Sequence, residues 1–170
     1  MQRIATVKQW FARHIDTTLY IQLWAHQLRL VNVVSGAEFN EAPFIALEQN
    51  RSGRPRIKAI GNEAQALINT AGLEVVNPFA HPRVLIANFA KAEKVLAYAV
   101  KHICRGRLFT VSPRVVCQPM EKLEGGITDV EARALRELCL GAGAREVVLY
   151  QGAPLVLAQF DYAHLKQQDI

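Results

Sequence analysis

The stretch YIQLWAHQLRLV, Tyr20 to Val31, sets apolar residues on both sides of Trp24-Ala25-His26 as two antiparallel strands would, yet it carries no glycine, proline, asparagine or aspartate where the chain must reverse. Two-residue hairpins favour Asn-Gly or Gly-X because the turn needs positive φ angles. A larger turn is therefore expected here. Around it, Leu19 to Leu23, Leu28 to Val34 and Phe44 to Glu48 form three apolar runs spaced like an antiparallel meander, with turn chemistry at Ser35-Gly36 and Glu41-Ala42-Pro43.

Downstream the pattern changes to alternating strands and helices. Ile57 to Ile60 reads as a short strand, and Asn62 to Ile68 as a helix with Asn62 as its cap and Glu63 in its first turn. Pro78 and Pro82 interrupt any regular element. Asn88 is placed to cap a helix from Phe89 to about Ile103, whose Phe89, Val95, Leu96, Ala99, Val100 and Ile103 include apolar contacts three and four residues apart. Val111 to Cys117 reads as a buried strand with Pro113 near its start. Thr128-Asp129-Val130-Glu131 is a capping box, and the helix it opens has Val130, Ala134, Leu135 and Leu138 as its apolar positions and Gly141 and Gly143 as its stop. Glu146 to Tyr150 returns as a strand, and Pro154 to Leu165 is expected to close as a helix with proline in its first turn.

The totals fit one ordered domain. The chain has 170 residues, of which 51% are hydrophobic and 21% charged. Its formal net charge of +5 is mostly scattered. The denser run RSGRPRIK, Arg51 to Lys58, lacks the aromatic interleaving or recognition helix of a nucleic-acid interface and reads as a solvated loop, so no nucleic-acid partner is expected. Cys104, Cys117 and Cys139 are far apart in apolar surroundings, which supplies neither a disulfide framework nor a zinc pattern and suits a reducing cytoplasm. The five histidines have no metal-ligand spacing, Ser112 lies outside any nucleophile elbow, and Gly141-Ala142-Gly143 precedes a strand where a dinucleotide fingerprint would follow one. Neither a metal nor a catalytic set is expected. No apolar run reaches the roughly 18 residues of a membrane-spanning helix.

Residues 1–18 read as a separate basic amphipathic segment. Ile4, Val7 and Phe11 recur at helical spacing with Trp10 beside them, and Arg3, Lys8 and Arg13 lie elsewhere on the wheel. These four apolar residues are candidate contacts with an anionic membrane surface, which would put the protein peripherally at the inner face of the membrane.

A meander followed by strand and helix alternation is the plan of a ribonuclease H-like half-domain. Asn40-Glu41 with Phe44-Ile45-Ala46-Leu47, Ile86-Ala87-Asn88-Phe89, Ser112-Pro113-Arg114-Val115, Asp129-Val130-Glu131-Ala132-Arg133-Ala134 and, above all, Gly141-Ala142-Gly143-Ala144-Arg145-Glu146-Val147 followed by Pro154 point further. In this order and spacing, over roughly Leu19 to Ala158, the chain resembles the N-terminal half of the MreB family, the bacterial actin homologues of rod-shape determination. The resemblance implies an α/β fold of the actin-like ATPase superfamily, with a mixed five-stranded sheet, flanking helices and a small inserted subdomain at about residues 50–85 of a single domain over 19–170.

It also implies where chemistry would lie. In that family the first hairpin begins Ile-Asp-Leu-Gly-Thr and its turn wraps the phosphates of ATP, where this chain has Ile21-Gln22-Leu23-Trp24-Ala25. Gln22 brings no charge for a metal that prefers hard anionic oxygens, Trp24 puts an indole where backbone would approach phosphate, and Ala25 has no hydroxyl. Further on, the family has Glu-Glu-Pro and this chain Gln151-Gly152-Ala153-Pro154; a neutral amide is no general base. The expectation is thus an interaction or structural module that binds no nucleotide, hydrolyses no ATP and carries no cofactor. Its expected partner is a second copy or an actin-like filament, and the apolar run Pro154 to Phe160 is the expected contact. Two alternatives stand beside it: a membrane-surface adaptor through the N-terminal segment, and an ATP site completed across an oligomer.

Overall fold

The computed structural model describes residues 17–50, 55–105 and 111–170. The amphipathic residues Ile4, Val7, Trp10 and Phe11, and Arg51 to Arg54 of the basic run, lie outside them. Strands β1 (Thr18–Leu23), β2 (Leu28–Asn32) and β3 (Glu38–Glu41) form a meander. Then come β4 (Ile45–Gln49), β5 (Pro55–Ile60), helix α1 (Asn62–Ala66), β6 (Leu73–Val76), α2 (Phe89–Ile103), β7 (Arg114–Pro119), α3 (Asp129–Gly141), β8 (Glu146–Leu149) and α4 (Tyr162–Lys166).

The main sheet has the order β3-β2-β1-β7-β8, antiparallel through β3, β2 and β1 and parallel through β1, β7 and β8. This is the mixed five-stranded sheet that the resemblance implies, but its third strand is Glu38–Glu41 and not Phe44 to Glu48. With Phe39 as its one apolar residue, β3 is an edge strand with no alternation to find. The apolar run after it goes instead to the centre of a second, three-stranded sheet of order β5-β4-β6. Strand β6, Leu-Glu-Val-Val, was not expected from the sequence.

Alternation along the strands sorts the two faces of the main sheet. Leu19, Ile21 and Leu23 of β1 face α2 and α3 together with Leu28, Leu30, Val115, Cys117, Val147 and Leu149, and make the large core. Helix α2 buries Val95, Leu96, Ala99, Val100 and Ile103 there, and the Asn88 side chain caps it by accepting the Lys91 N–H at 3.0 Å. Phe89, the first residue of the helix and expected on its apolar face, is 39% exposed. Helix α3 buries Leu135, Leu138 and Cys139, whereas Val130, counted on the apolar face from its spacing, is 78% exposed. The Cys139 thiol has the Cys117 thiol beside it, and that contact together with burial pushes it well above the ordinary thiol range.

Three further expectations are corrected by local hydrogen bonding. Asn62 is the first residue of α1 rather than its cap; Gly61, at φ 81°, holds the cap position, and the Asn62 Oδ1 accepts the Ala42 N–H at 2.9 Å. Strand β7 begins at Arg114, after Pro113. The segment Pro154 to Leu165 is not one helix. It forms a 3-10 turn at Leu157–Gln159 and then the short α4, because Asp161 accepts the N–H groups of Ala163 and His164 and restarts the chain as a cap.

The capping box of α3 is present in full: Thr128 Oγ1 accepts the Glu131 N–H, and the Glu131 carboxylate accepts the Thr128 N–H at 3.0 Å. The Thr128 hydroxyl, then its backbone N–H, holds the Glu131 carboxyl below the usual carboxylate range. Thr128→Ala is expected to cost about 1 kcal/mol in urea unfolding at neutral pH. A lowered pKa means that the ionised carboxylate stabilises the fold at neutral pH and that this contribution is lost as pH falls through the lowered value. The penalty of Glu131→Gln should therefore be present at pH 7 and vanish in acid, as unfolding midpoints against pH would show.

Candidate functional site

In an open sheet with parallel strands, ligands bind beyond the carboxyl ends of those strands. Here that end is shared by β1, β7 and β8, and it gathers the sequence-flagged positions. The β1–β2 reversal is the four-residue turn from Trp24 to Gln27, closed by the Trp24 N–H on the Gln27 carbonyl at 2.9 Å. It is the larger turn that the missing glycine required. The turn is then fixed from two sides. The Ala25 N–H donates to the Glu121 carboxylate from the loop after β7, and the Ala25 carbonyl accepts from the Asn77 side chain at 2.6 Å.

Gln22 lies on the other face of β1 from the core, yet it is only 4% exposed. Its neighbours in register are Arg29 on β2 and Gln118 on β7. Arg29 donates from Nη1 to Gln22 Oε1 at 2.7 Å and from Nε to Glu38 at 2.8 Å. The guanidinium holds the Glu38 carboxyl below its ordinary value, chiefly through that hydrogen bond. The Gln22 amide nitrogen lies 3.7 Å from the Met120 sulfur. A cation of the protein's own thus sits on the Gln22 carbonyl.

Gln118, 1% exposed, links this row to the second flagged loop. Its Oε1 accepts the Tyr20 hydroxyl, its Nε2 donates to the Gly152 carbonyl at 2.7 Å, and the Tyr20 oxygen in turn accepts the Leu155 N–H at 3.2 Å. Burial is the main cause that raises the Tyr20 phenol above its ordinary value. Gln151 itself is exposed and faces solvent beside the polar row. A Cβ on Gly152 would come within 2.5 Å of the Tyr150 hydroxyl, which leaves this loop no room for a side chain without that ring moving.

Trp24, Ala25 and Gln22 are therefore brought together, and Gln151 joins them through its neighbour Gly152. Arg29, Gln118, Glu121, Asn77 and Tyr20 complete the site and were not singled out by sequence. Gln118 was detectable as the polar residue at the end of a buried strand, and Arg29 as the charge two residues from a turn; Glu121 carried no local signal. Of the run Pro154 to Phe160, expected as a contact, Pro154, Val156, Ala158 and Gln159 are exposed and Leu155, Leu157 and Phe160 are half-buried. Leu155, Leu157 and Phe160 pack on Tyr20, Val116 and Val148, while Val156 is 60% exposed. Among the described residues, no group of histidine, cysteine, aspartate and glutamate is arranged to hold a metal, and no helix is long and apolar enough to cross a membrane.

This topology is the actin-like one. It is shared with MreB5 of Spiroplasma citri bound to ADP, at a TM-score of 0.62 and 18% identity over 80% of this chain and 38% of that one. It is also shared with the MamK double helical filament, at a TM-score of 0.56 and 12% identity over 78% of this chain and 40% of that one. The chain belongs to the MreB/Mbl protein family, whose model matches residues 17–158. It is 37% identical over 120 residues to the cell shape-determining protein MreB of Escherichia coli, and 36% identical over 118 residues to that of Haemophilus influenzae. Those matches cover 68% of this chain but 33% and 32% of the relatives, so the chain spans about a third of their length.

Removing the Tyr20 hydroxyl tests the buried link. Tyr20→Phe leaves Gln118 Oε1 and the Leu155 N–H without their partner, and is expected to cost about 1 to 3 kcal/mol in chemical denaturation. Gln118→Leu combined with it should cost less than the sum of the two single changes.

Proposed function

We propose that this chain is an interaction module of the MreB/Mbl family that binds no nucleotide, hydrolyses no ATP and works by associating with a second copy or with an actin-like filament. The observation that carries the reading is the Arg29 guanidinium seated 2.7 Å from the Gln22 carbonyl oxygen. A divalent metal needs anionic oxygen ligands at this end of the sheet, and a fixed cation repels it directly. The turn agrees, since the Ala25 N–H already serves the Glu121 carboxylate, whose negative charge opposes a phosphate. The relation to filament-forming and cell-shape proteins favours assembly as the retained task.

The reading is tested by isothermal calorimetry with ATP and magnesium. No heat beyond dilution is expected, and Gln22→Asp is expected to stay silent as well, because the new carboxylate pairs with Arg29 before it meets a metal. Saturable binding by the unmodified chain overturns the proposal. If that heat grows with protein concentration, the site is completed across copies. Light scattering and co-sedimentation with actin-like filaments test the other half; a chain that stays monomeric and does not sediment removes it.

A further inference from the structure

We infer that the outer edge of β8 is an association surface for a second copy of this chain, paired antiparallel about Val148 and covered in the single copy by an Arg136–Asp169 clamp. The inference rests on the self-association reading above and gives it a location.

Among the described residues, strand β8 pairs with β7 alone, which leaves the other side of its backbone at the edge of the sheet. The Tyr150 N–H points to β7 and donates to the Cys117 carbonyl at 3.0 Å. By the two-residue period, Val147 and Leu149 then direct their N–H and C=O groups away from the sheet. Two of these outward groups are met by side chains. The Leu149 N–H donates to Asp169 Oδ1 at 2.8 Å, and the Val147 carbonyl accepts from Arg136 Nη1 at 2.9 Å. The same carboxylate and guanidinium bind each other at 3.1 and 3.2 Å, and Arg136 Nη2 also donates to the Ile170 carbonyl at 2.7 Å.

An acceptor at Leu149 and a donor at Val147 are what a neighbouring strand would present. The two outward positions flank Val148 symmetrically, which makes the edge complementary to itself. A twofold axis through Val148 sets each Val147 opposite the other copy's Leu149, and both residues of such a pair exchange N–H and C=O bonds. Glu146 then lies opposite Tyr150 of the other copy, so no like charges meet. The backbone pattern would admit any antiparallel strand; a second copy meets it with apolar residues opposite one another and with no like charges opposed.

The clamp suits a cover that yields. The side chains of Arg136 and Asp169 are 33% and 30% exposed, so their attraction is modest and weakened by salt. Charged side chains laid on an edge strand also guard it against uncontrolled pairing. The last residues are otherwise held to the domain by buried Leu165 and by Lys166 on Glu146, which lets the clamp open without release of the whole segment.

The test is sedimentation equilibrium of the full chain as wild type, Asp169→Ala, and Asp169→Ala with Val147→Pro, together with concentration-dependent hydrogen exchange at the Leu149 amide. Asp169→Ala is expected to tighten self-association by about tenfold, because it removes a partly exposed ion pair and a charge-assisted bond to the edge. Its Leu149 amide should exchange fast when dilute and slowly when concentrated. Val147→Pro deletes an outward N–H and should abolish the gain. If that variant fails to fold, the exchange result on Asp169→Ala decides alone. Self-association of the wild type that neither substitution changes, or a Leu149 amide indifferent to concentration in Asp169→Ala, overturns the edge surface while leaving self-association elsewhere intact. A chain monomeric in every variant overturns both.

Discussion

All six residues of β1 are buried, and three of them, Thr18, Tyr20 and Gln22, carry polar groups. Buried polar groups without partners are costly, so this strand obliges its surroundings to supply hydrogen bonds on the side away from the core. Tyr20 and Gln22 obtain them in different ways. The phenol is joined to Gln118 and through it to the loop after β8, whereas the carboxamide is joined to Arg29 and through it to Glu38 on the sheet edge. One row of side chains thus ties together elements far apart in sequence. The same row lies where a sheet of this kind usually receives a ligand, and its members hydrogen-bond to the protein itself.

The two faces of the sheet are covered by different means. Helices α2 and α3 seal the inner face with continuous apolar packing and hold most of the core. On the outer face a smaller cluster of Tyr20, Val116, Val148 and Leu165 is roofed by an irregular segment with only a short terminal helix. Arg114 stacks over the Tyr162 ring at 4.6 Å, and burial, with Glu146 adding to it, pushes the Tyr162 phenol up to about 12. Polar anchors therefore do on this side what apolar area does on the other.

Elements with a cap or a strong period were readable from the chain: α2 from Asn88, α3 from its capping box, and β1, β2 and β8 from their branched residues. The places where reading failed share a cause. Strand β3 is an edge strand with one apolar residue, and its pairing is set by β2 and not by its own pattern. The closing segment looked helical by composition, but Asp161 competes for backbone N–H groups and divides it. At the site, Gln22, Trp24 and Ala25 could be singled out because a motif gave them counterparts. Arg29, Gln118 and Glu121 act through neighbours that only the fold supplies; Gln118 and Glu121 each meet a residue nearly a hundred positions away, and the local signals that mark Arg29 and Gln118 do not name their partners.

Cys117 on β7 and Cys139 on α3 are each 1% exposed, and they meet across the packing seam between helix and sheet. Neither sulfur is open to a reagent while that seam is closed, and both become so once the helix lifts. The molecule therefore contains its own chemical clock: the speed at which these two thiols are modified measures how often the layers part.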